Sequence, residues 1–342
     1  MNRRLFNPRF AVILFAVIAI GALAGVASGQ DMTAALPNAE SHGEQNADFS
    51  KAELHVWPVQ GNIYMLVGDG ANITLQVGKQ GALLVNTGFD KMSDKVIAAI
   101  KKMSERPLQY IINTNSYPDS TSGNEPVRLA GTTITGANVT NDIRDSRDGA
   151  QILANENVLT RMSAPTGKKS PTPPGAWPTD TFLGREKTLY FNGEPIEIIL
   201  QPNALTDGDS IVFFRKSDVV SAGDIFNTDG YPVIDVEKGG TIEGTVLALT
   251  HIVNMAVVEH EEEGGTLVIP GHGHLCDQAE VVEYRDMVAI VRDRVKELVK
   301  KGMTLEQVKA AKLTRDYDPL YGHNSYWTPD MFVEAAYKSL KK

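Results

Sequence analysis

Cysteine is almost missing from this chain: Cys276 is the only one in 342 residues. A disulfide within the chain is therefore excluded, and so is a metal site built from several thiolates. An excess of positive charge is missing as well. The formal net charge is −9, and taking out the three arginines of residues 1–29 (Arg3, Arg4, Arg9) leaves −12 for residues 30–342. So acidic a surface argues against nucleic acid as a partner and disfavours anionic lipid. No internal repeat and no low-complexity tract is visible. The apolar run 11–26 is short of the ~20 residues a membrane span needs.

What is present begins with that run. Residues 2–9 are basic and contain no acid, residues 11–26 are continuously apolar, and Ala27-Ser28-Gly29 supplies small residues for cleavage. This pattern reads as a secretory signal peptide over 1–29. The competing reading is an uncleaved anchor. Cleavage leaves an exported protein, periplasmic or extracellular, with no stable membrane anchor. Residues 30–50 are polar, small and aperiodic, and read as a flexible leader.

Short β-type runs follow at 54–59, 62–67, 73–77 and 81–85, separated by glycine-rich turns. Residues 90–103 carry apolar positions at helical spacing, and 108–112 reads as a buried strand. Residues 145–162 read as a helix. The stretch 163–182 holds five prolines and reads as irregular cover. Strands return at 187–192, 196–200, 210–214 and 219–221. A helix over 241–257 and a strand over 266–269 follow, then helices over 277–301, 305–311 and 329–340. Two halves of strands with helices between them predict an α/β chain, two sheets with helices outside.

One segment stands out within this pattern: Asn113-Thr114-Asn115-Ser116-Tyr117-Pro118-Asp119-Ser120-Thr121-Ser122-Gly123-Asn124. It resembles the metallo-β-lactamase superfamily signature Asn-Thr-His-x-His-x-Asp-His-x-Gly-Gly-Asn, with Asn115, Tyr117 and Ser120 in place of the three histidines. Four more landmarks come in family order. They are residues 81–88 ending Asn86-Thr87-Gly88, then Ala204-Leu205-Thr206-Asp207-Gly208-Asp209, Gly223-Asp224-Ile225-Phe226, and Pro270-Gly271-His272-Gly273. The resemblance implies an αββα sandwich over residues 51–315, with 316–342 as a helical extension packed on the same domain.

The resemblance also implies two zinc sites, and each can be checked position by position. The first ion maps onto Asn115, Tyr117 and Leu205, with Asp224 as the bridge. An amide, a neutral phenol and an aliphatic side chain are poor or impossible zinc ligands, so this site is expected to be vacated. The second ion maps onto Asp119, Ser120, His272 and Asp224. Two carboxylates and an imidazole survive there as a weak site. Asn86 replaces a carboxylate that supports the ligands from behind. With Ser122 in place of a glycine, six substitutions fall on six site positions.

Asp119 and Asp224 are expected close together. At ~5 Å and an effective dielectric of ~20 their repulsion is about 3 kcal/mol. A bound cation, a protonated His272 or a protonated carboxylate would each offset it.

The resulting expectation is an inactive homologue of the metallo-β-lactamase-type zinc hydrolases. It serves as a binding or scaffold protein for an unknown small molecule or protein, and has no cofactor. The alternative is a hydrolase of an ester, thioester or lactam that uses one Zn²⁺ or another divalent cation at Asp119, Asp224 and His272, with Asp119 and His272 as its catalytic residues. A serine triad of Ser120, His272 and an aspartate is a remote option, because no strained nucleophile turn precedes Ser120. His274 and Cys276 lack a third partner nearby in the sequence and read as a loop residue and a buried thiol. Trp177 is either a lid or an anchor for the proline-rich stretch.

Overall fold

Alternation sets the first strands. In β2 (Ile63–Val67), Ile63, Met65 and Val67 face one core and Leu66 the opposite one, as the two-residue period of a strand requires. With β1 (His55–Pro58), β3 (Ile73–Gly78) and β4 (Gly81–Val85) it forms an antiparallel meander. The computed structural model describes Phe49 and residues 51–133, 149–163, 168–258 and 264–341. These fall within one unit, Ala35–Lys342. The expected signal peptide and, Phe49 apart, the leader lie outside the described residues.

A short turn of 3₁₀ helix leads into α1 (Ser93–Met103), which buries Val96 and Ile100 against the outer face of the first sheet. Next, β5 (Leu108–Ile112) runs parallel to β4. Two short helices follow, α2 (Pro118–Thr121) and α3 (Asn124–Leu129). Then β6 (Gln151–Asn155), α4 (Glu156–Met162) and β7 (Asp180–Phe182) complete the sheet in the order β1-β2-β3-β4-β5-β6-β7.

Two sequence expectations need correction here. The helix expected over 145–162 is a strand followed by a helix, with residues 145–148 outside the described residues. Gln151–Asn155 pairs in parallel with β5 on one side and β7 on the other. Asn155 then starts α4, its side chain accepting from the Asn157 N–H at 3.0 Å, the usual N-cap arrangement. The proline-rich stretch is not wholly irregular either. It contains a 3₁₀ turn, Pro174–Ala176, and ends in β7. An edge strand tolerates such an approach. Trp177 anchors this stretch: its Nε1 donates to Thr172 O at 3.0 Å and its ring packs on the Ala154, Val158 and Met162 cluster.

The second sheet has the order β12-β11-β10-β9-β8. Its strands are β8 (Glu186–Phe191), β9 (Glu194–Leu200), β10 (Ser210–Phe214), β11 (Val219–Asn227) and β12 (Leu267–His272). The first four are antiparallel. The helix α5 (Ile242–Met255) makes the crossover that lets β12 lie parallel to β11, as parallel pairing demands. β11 is longer than the expected 219–221 and carries the Gly-Asp-x-Phe landmark inside the sheet.

Ile63, Met65, Val85, Ile112, Val212, Phe214 and Ile269 fill the space between the sheets. Outside the second sheet lie α5, α6 (Gln278–Lys300), α7 (Leu305–Ala310), α8 (Asp318–Tyr321) and α9 (Pro329–Leu340). α6 buries Val281, Tyr284, Val288, Val291 and Val295, an apolar stripe at helical spacing. Phe332, Val333 and Ala336 of α9 join the same core. The result is an α/β sandwich with helices on both outer faces. Strands β4, β5, β11 and β12 end at one edge, where ligand sites of layered α/β folds lie.

Candidate metal centre

The loop after β5 is held by side-chain amides. Asn113 and Asn124 form a reciprocal pair: Asn124 Nδ2 donates to Asn113 Oδ1 at 2.8 Å, and Asn113 Nδ2 to Asn124 Oδ1 at 3.1 Å. Thr87 Oγ1 also donates to Asn124 Oδ1 at 2.9 Å, and Thr87 N to Ser120 O at 2.8 Å. Asn86 has a positive φ of 64°, a conformation asparagine tolerates better than most residues. Its Oδ1 accepts from Thr114 N at 3.0 Å while its Nδ2 donates to Thr114 Oγ1 at 3.0 Å. The matching frame residues Asn113, Thr114 and Asn124 therefore shape the loop, and Asn86 bonds loop rather than ligand.

This scaffold brings Asp119 of α2, Asp224 of β11 and His272 at the end of β12 together. His272 Nε2 lies 3.3 Å from Asp119 Oδ2 and 3.4 Å from Asp224 Oδ1. All three are buried. Gly271 permits the approach, since a Cβ there would land against Asp224 Oδ1 and come within 2.8 Å of the Asp224 backbone. Burial disfavours the imidazolium, but the two carboxylates outweigh burial and push His272 up to about 10. Of the expected offsets to the carboxylate repulsion, the chain itself offers one, the His272 ring placed between Asp119 and Asp224. The donor atoms lie within 4.8 Å of one another. Two carboxylates and an imidazole suit one borderline or hard divalent ion better than none.

The position of the first ion does not suit a metal. Asn115 Nδ2 donates to Asp224 Oδ2 at 2.8 Å, and Asn115 Oδ1 accepts from Tyr117 N at 2.8 Å. Its amide is committed at both ends. Tyr117 turns to Asp235, with its hydroxyl donating to Oδ2 at 3.4 Å and Lys238 Nζ lying 4.8 Å above its ring. Burial and the Asp235 charge both raise the Tyr117 phenol, so it stays neutral. Leu205 is fully buried in the core beneath α5. Ser120 Oγ is buried and has no hydrogen-bond partner among the described residues, so the serine–histidine pairing needed for the remote triad is not formed.

Other residues here went unread in the sequence. Asp235 and Lys238 pair at 2.9 Å beside Tyr117; their spacing of three was the only signal. Tyr326, from the segment before α9, is held protonated by burial and by the charges of Asp229, Asp224 and Asp119. His274 and Cys276, expected to lack a third partner, have one in Glu280 of α6.

The fold is that of the metallo-β-lactamases. A solved metallo-β-lactamase from Pontibacter korlensis superposes with a TM-score of 0.52 at 16% identity, over 69% of this chain and 99% of that one. The stereoselective inverting sec-alkylsulfatase Pisa1 from Pseudomonas sp. gives a TM-score of 0.59 at 15% identity, over 83% of this chain and 50% of that one. In sequence, a linear primary-alkylsulfatase from Pseudomonas sp. is 21% identical over 290 residues, 76% of this chain and 53% of that protein. The chain thus spans about half the length of the alkylsulfatases it matches. No family model matches the chain.

Proposed function

We propose that this chain is an exported protein of metallo-β-lactamase fold whose two-metal centre has been reduced to a single cation site, and that it acts by binding rather than by turnover. The observation that carries this reading is the Asn115–Asp224 hydrogen bond at 2.8 Å. It directs an N–H donor at the carboxylate which the family resemblance assigns to bridging two ions. Leu205 and Tyr117 support it, since neither is an effective zinc ligand. Asp119, Asp224 and His272 hold the remaining ion, which when bound supplies a Lewis acid. The burial of all three suits a site that encloses a small ion rather than one open to a bulky substrate. The ligand is a small molecule or a protein, not nucleic acid. Export rests on the basic and apolar pattern of residues 1–29; no helix among the described residues is long and apolar enough to cross a membrane.

The convergence of three intact donors favours one second reading, a one-metal hydrolase. The similarity to alkylsulfatases makes a sulfate ester the first substrate to try, with a lactam second. Metal content and turnover of both separate the readings, measured on Cys276→Ser protein purified without chelators so that only the Asp119, Asp224 and His272 cluster is counted. At most one ion per chain with no turnover supports the binding role. Turnover lost in both Asp119→Ala and His272→Ala establishes the hydrolase instead, and two ions per chain overturn both. N-terminal sequencing of protein recovered from the periplasm or medium checks the leader.

A further inference from the structure

We propose that His274, Cys276 and Glu280 form a second cation site, separate from the Asp119–Asp224–His272 cluster, that takes one zinc-like ion through an imidazole, a thiolate and a carboxylate. This goes beyond the reading above and does not depend on it. The three donor atoms lie within 4.8 Å of one another. His274 Nε2 already sits 2.7 Å from Glu280 Oε1. The Cys276 thiol points back into the same turn, donating to His274 O at 3.2 Å. With metal–donor distances of ~2.0–2.3 Å, tetrahedral donors sit roughly 3.3–3.8 Å apart, so binding opens the 2.7 Å His274–Glu280 contact.

Each ligand is carried on a fixed piece of backbone. Cys276 exchanges both backbone hydrogen bonds with Val268, at 2.7 and 3.0 Å, as an isolated bridge beside β12. Glu280 is the third residue of a capping box: Asp277 Oδ1 accepts from Glu280 N at 3.2 Å, and Glu280 Oε2 accepts from Asp277 N at 3.3 Å. That leaves Glu280 Oε1 for the site. The His274 N–H donates to Thr228 Oγ1 at 3.1 Å. Gly273, at φ 98°, makes this possible, because a Cβ there would collide with that hydroxyl. Cys276 is buried and forms the floor, while the side chains of His274 and Glu280 are about two-fifths exposed and leave an entry from solvent.

The donor types decide the class of ion. Imidazole with thiolate selects zinc, cobalt and their neighbours over magnesium or calcium. Three protein donors leave a fourth position for water or for a donor from a binding partner. The positive end of the α6 dipole opposes a cation here. Glu280 in the first turn and Asp277 at the N-cap offset it, and Asp229 adds a third negative charge near His274. Binding transfers the thiol proton to solvent.

Co²⁺ titration of the full-length chain, purified metal-free, tests this directly. Thiolate coordination to Co²⁺ gives a near-ultraviolet charge-transfer band, and with one cysteine in the chain the band has a single source. The expected result is a band that saturates at one equivalent, persists in Asp119→Ala and disappears in Cys276→Ser. Glu280→Gln keeps the capping acceptor and should weaken Co²⁺ binding by at least the roughly 10–100-fold that outer partners of a ligand cost. No band at excess Co²⁺ in the unmodified chain overturns the proposal without any variant having to fold. A band with unchanged affinity in both His274→Ala and Glu280→Gln overturns it too. Loss of the band in Asp119→Ala would return Cys276 to the first cluster and overturn a separate site.

Discussion

Asn115 donates its side-chain N–H to Asp224 Oδ2 at 2.8 Å, from the position at which the family resemblance would place a metal-binding histidine. A hydrogen bond to a buried carboxylate contributes roughly 1.5–3 kcal/mol. Asn115→Ala is expected to lower stability by that amount, read from the urea midpoint at constant slope. An unchanged midpoint would show that the bond does not organise the centre.

Leu205 separates packing from ligation. It is fully buried in the core beneath α5, so Leu205→Ala should cost roughly 2–5 kcal/mol through lost contacts and a cavity. Asn115→His alone should leave the metal count unchanged, because Leu205 and Tyr117 still occupy the other two positions. One equivalent of zinc more in that variant than in the parent chain, by elemental analysis, would contradict a vacated first site.

Gly271 gives Asp224 its room. Gly271→Ala places a methyl group against the Asp224 backbone and carboxylate, an overpacking that costs roughly 1–3 kcal/mol. The expected outcome is lower thermal stability together with weaker Zn²⁺ binding by calorimetry. A loss of stability with unaltered Zn²⁺ affinity would remove Asp224 from the ion's ligands.

Asp209 supplies the pH dependence. Burial raises its carboxyl to about 7, against the opposing bonds from Thr206 N and Oγ1. The folded state then holds a proton that the unfolded state has released. Stability from this group is full below the ordinary value of 3.8 and is lost as pH rises through about 7. Asp209→Asn should flatten that part of the stability curve, because its amide oxygen still accepts from Thr206. Melting temperatures of the two proteins compared from acid to neutral pH check this; parallel curves would exclude Asp209 as the source.

Much of this was legible in the sequence because the landmarks fix backbone positions that the fold needs whether or not a metal is bound. Asp119, Asp224 and His272 could be paired across 153 residues only because each sits in such a landmark. The stretch 151–155 could not be read so well. QILAN is flanked by strands on both sides, so it lacks alternation, and a short apolar run does not distinguish strand from helix. Glu280 was missed for a different reason. Its carboxylate reaches His274 through the turn that starts α6, and sequence spacing carries no trace of that fold-back. Tyr117 was read as a failed ligand; its contacts with Asp235 and Lys238 depend on a loop 118 residues away.

The reciprocal amides of Asn113 and Asn124 bear on how the protein matures. They close the loop after β5 with neutral side chains, so its shape is complete as soon as the chain has folded. A loop so closed does not need an ion to reach its shape. Starvation for divalent metal is therefore expected to leave the abundance of the protein untouched.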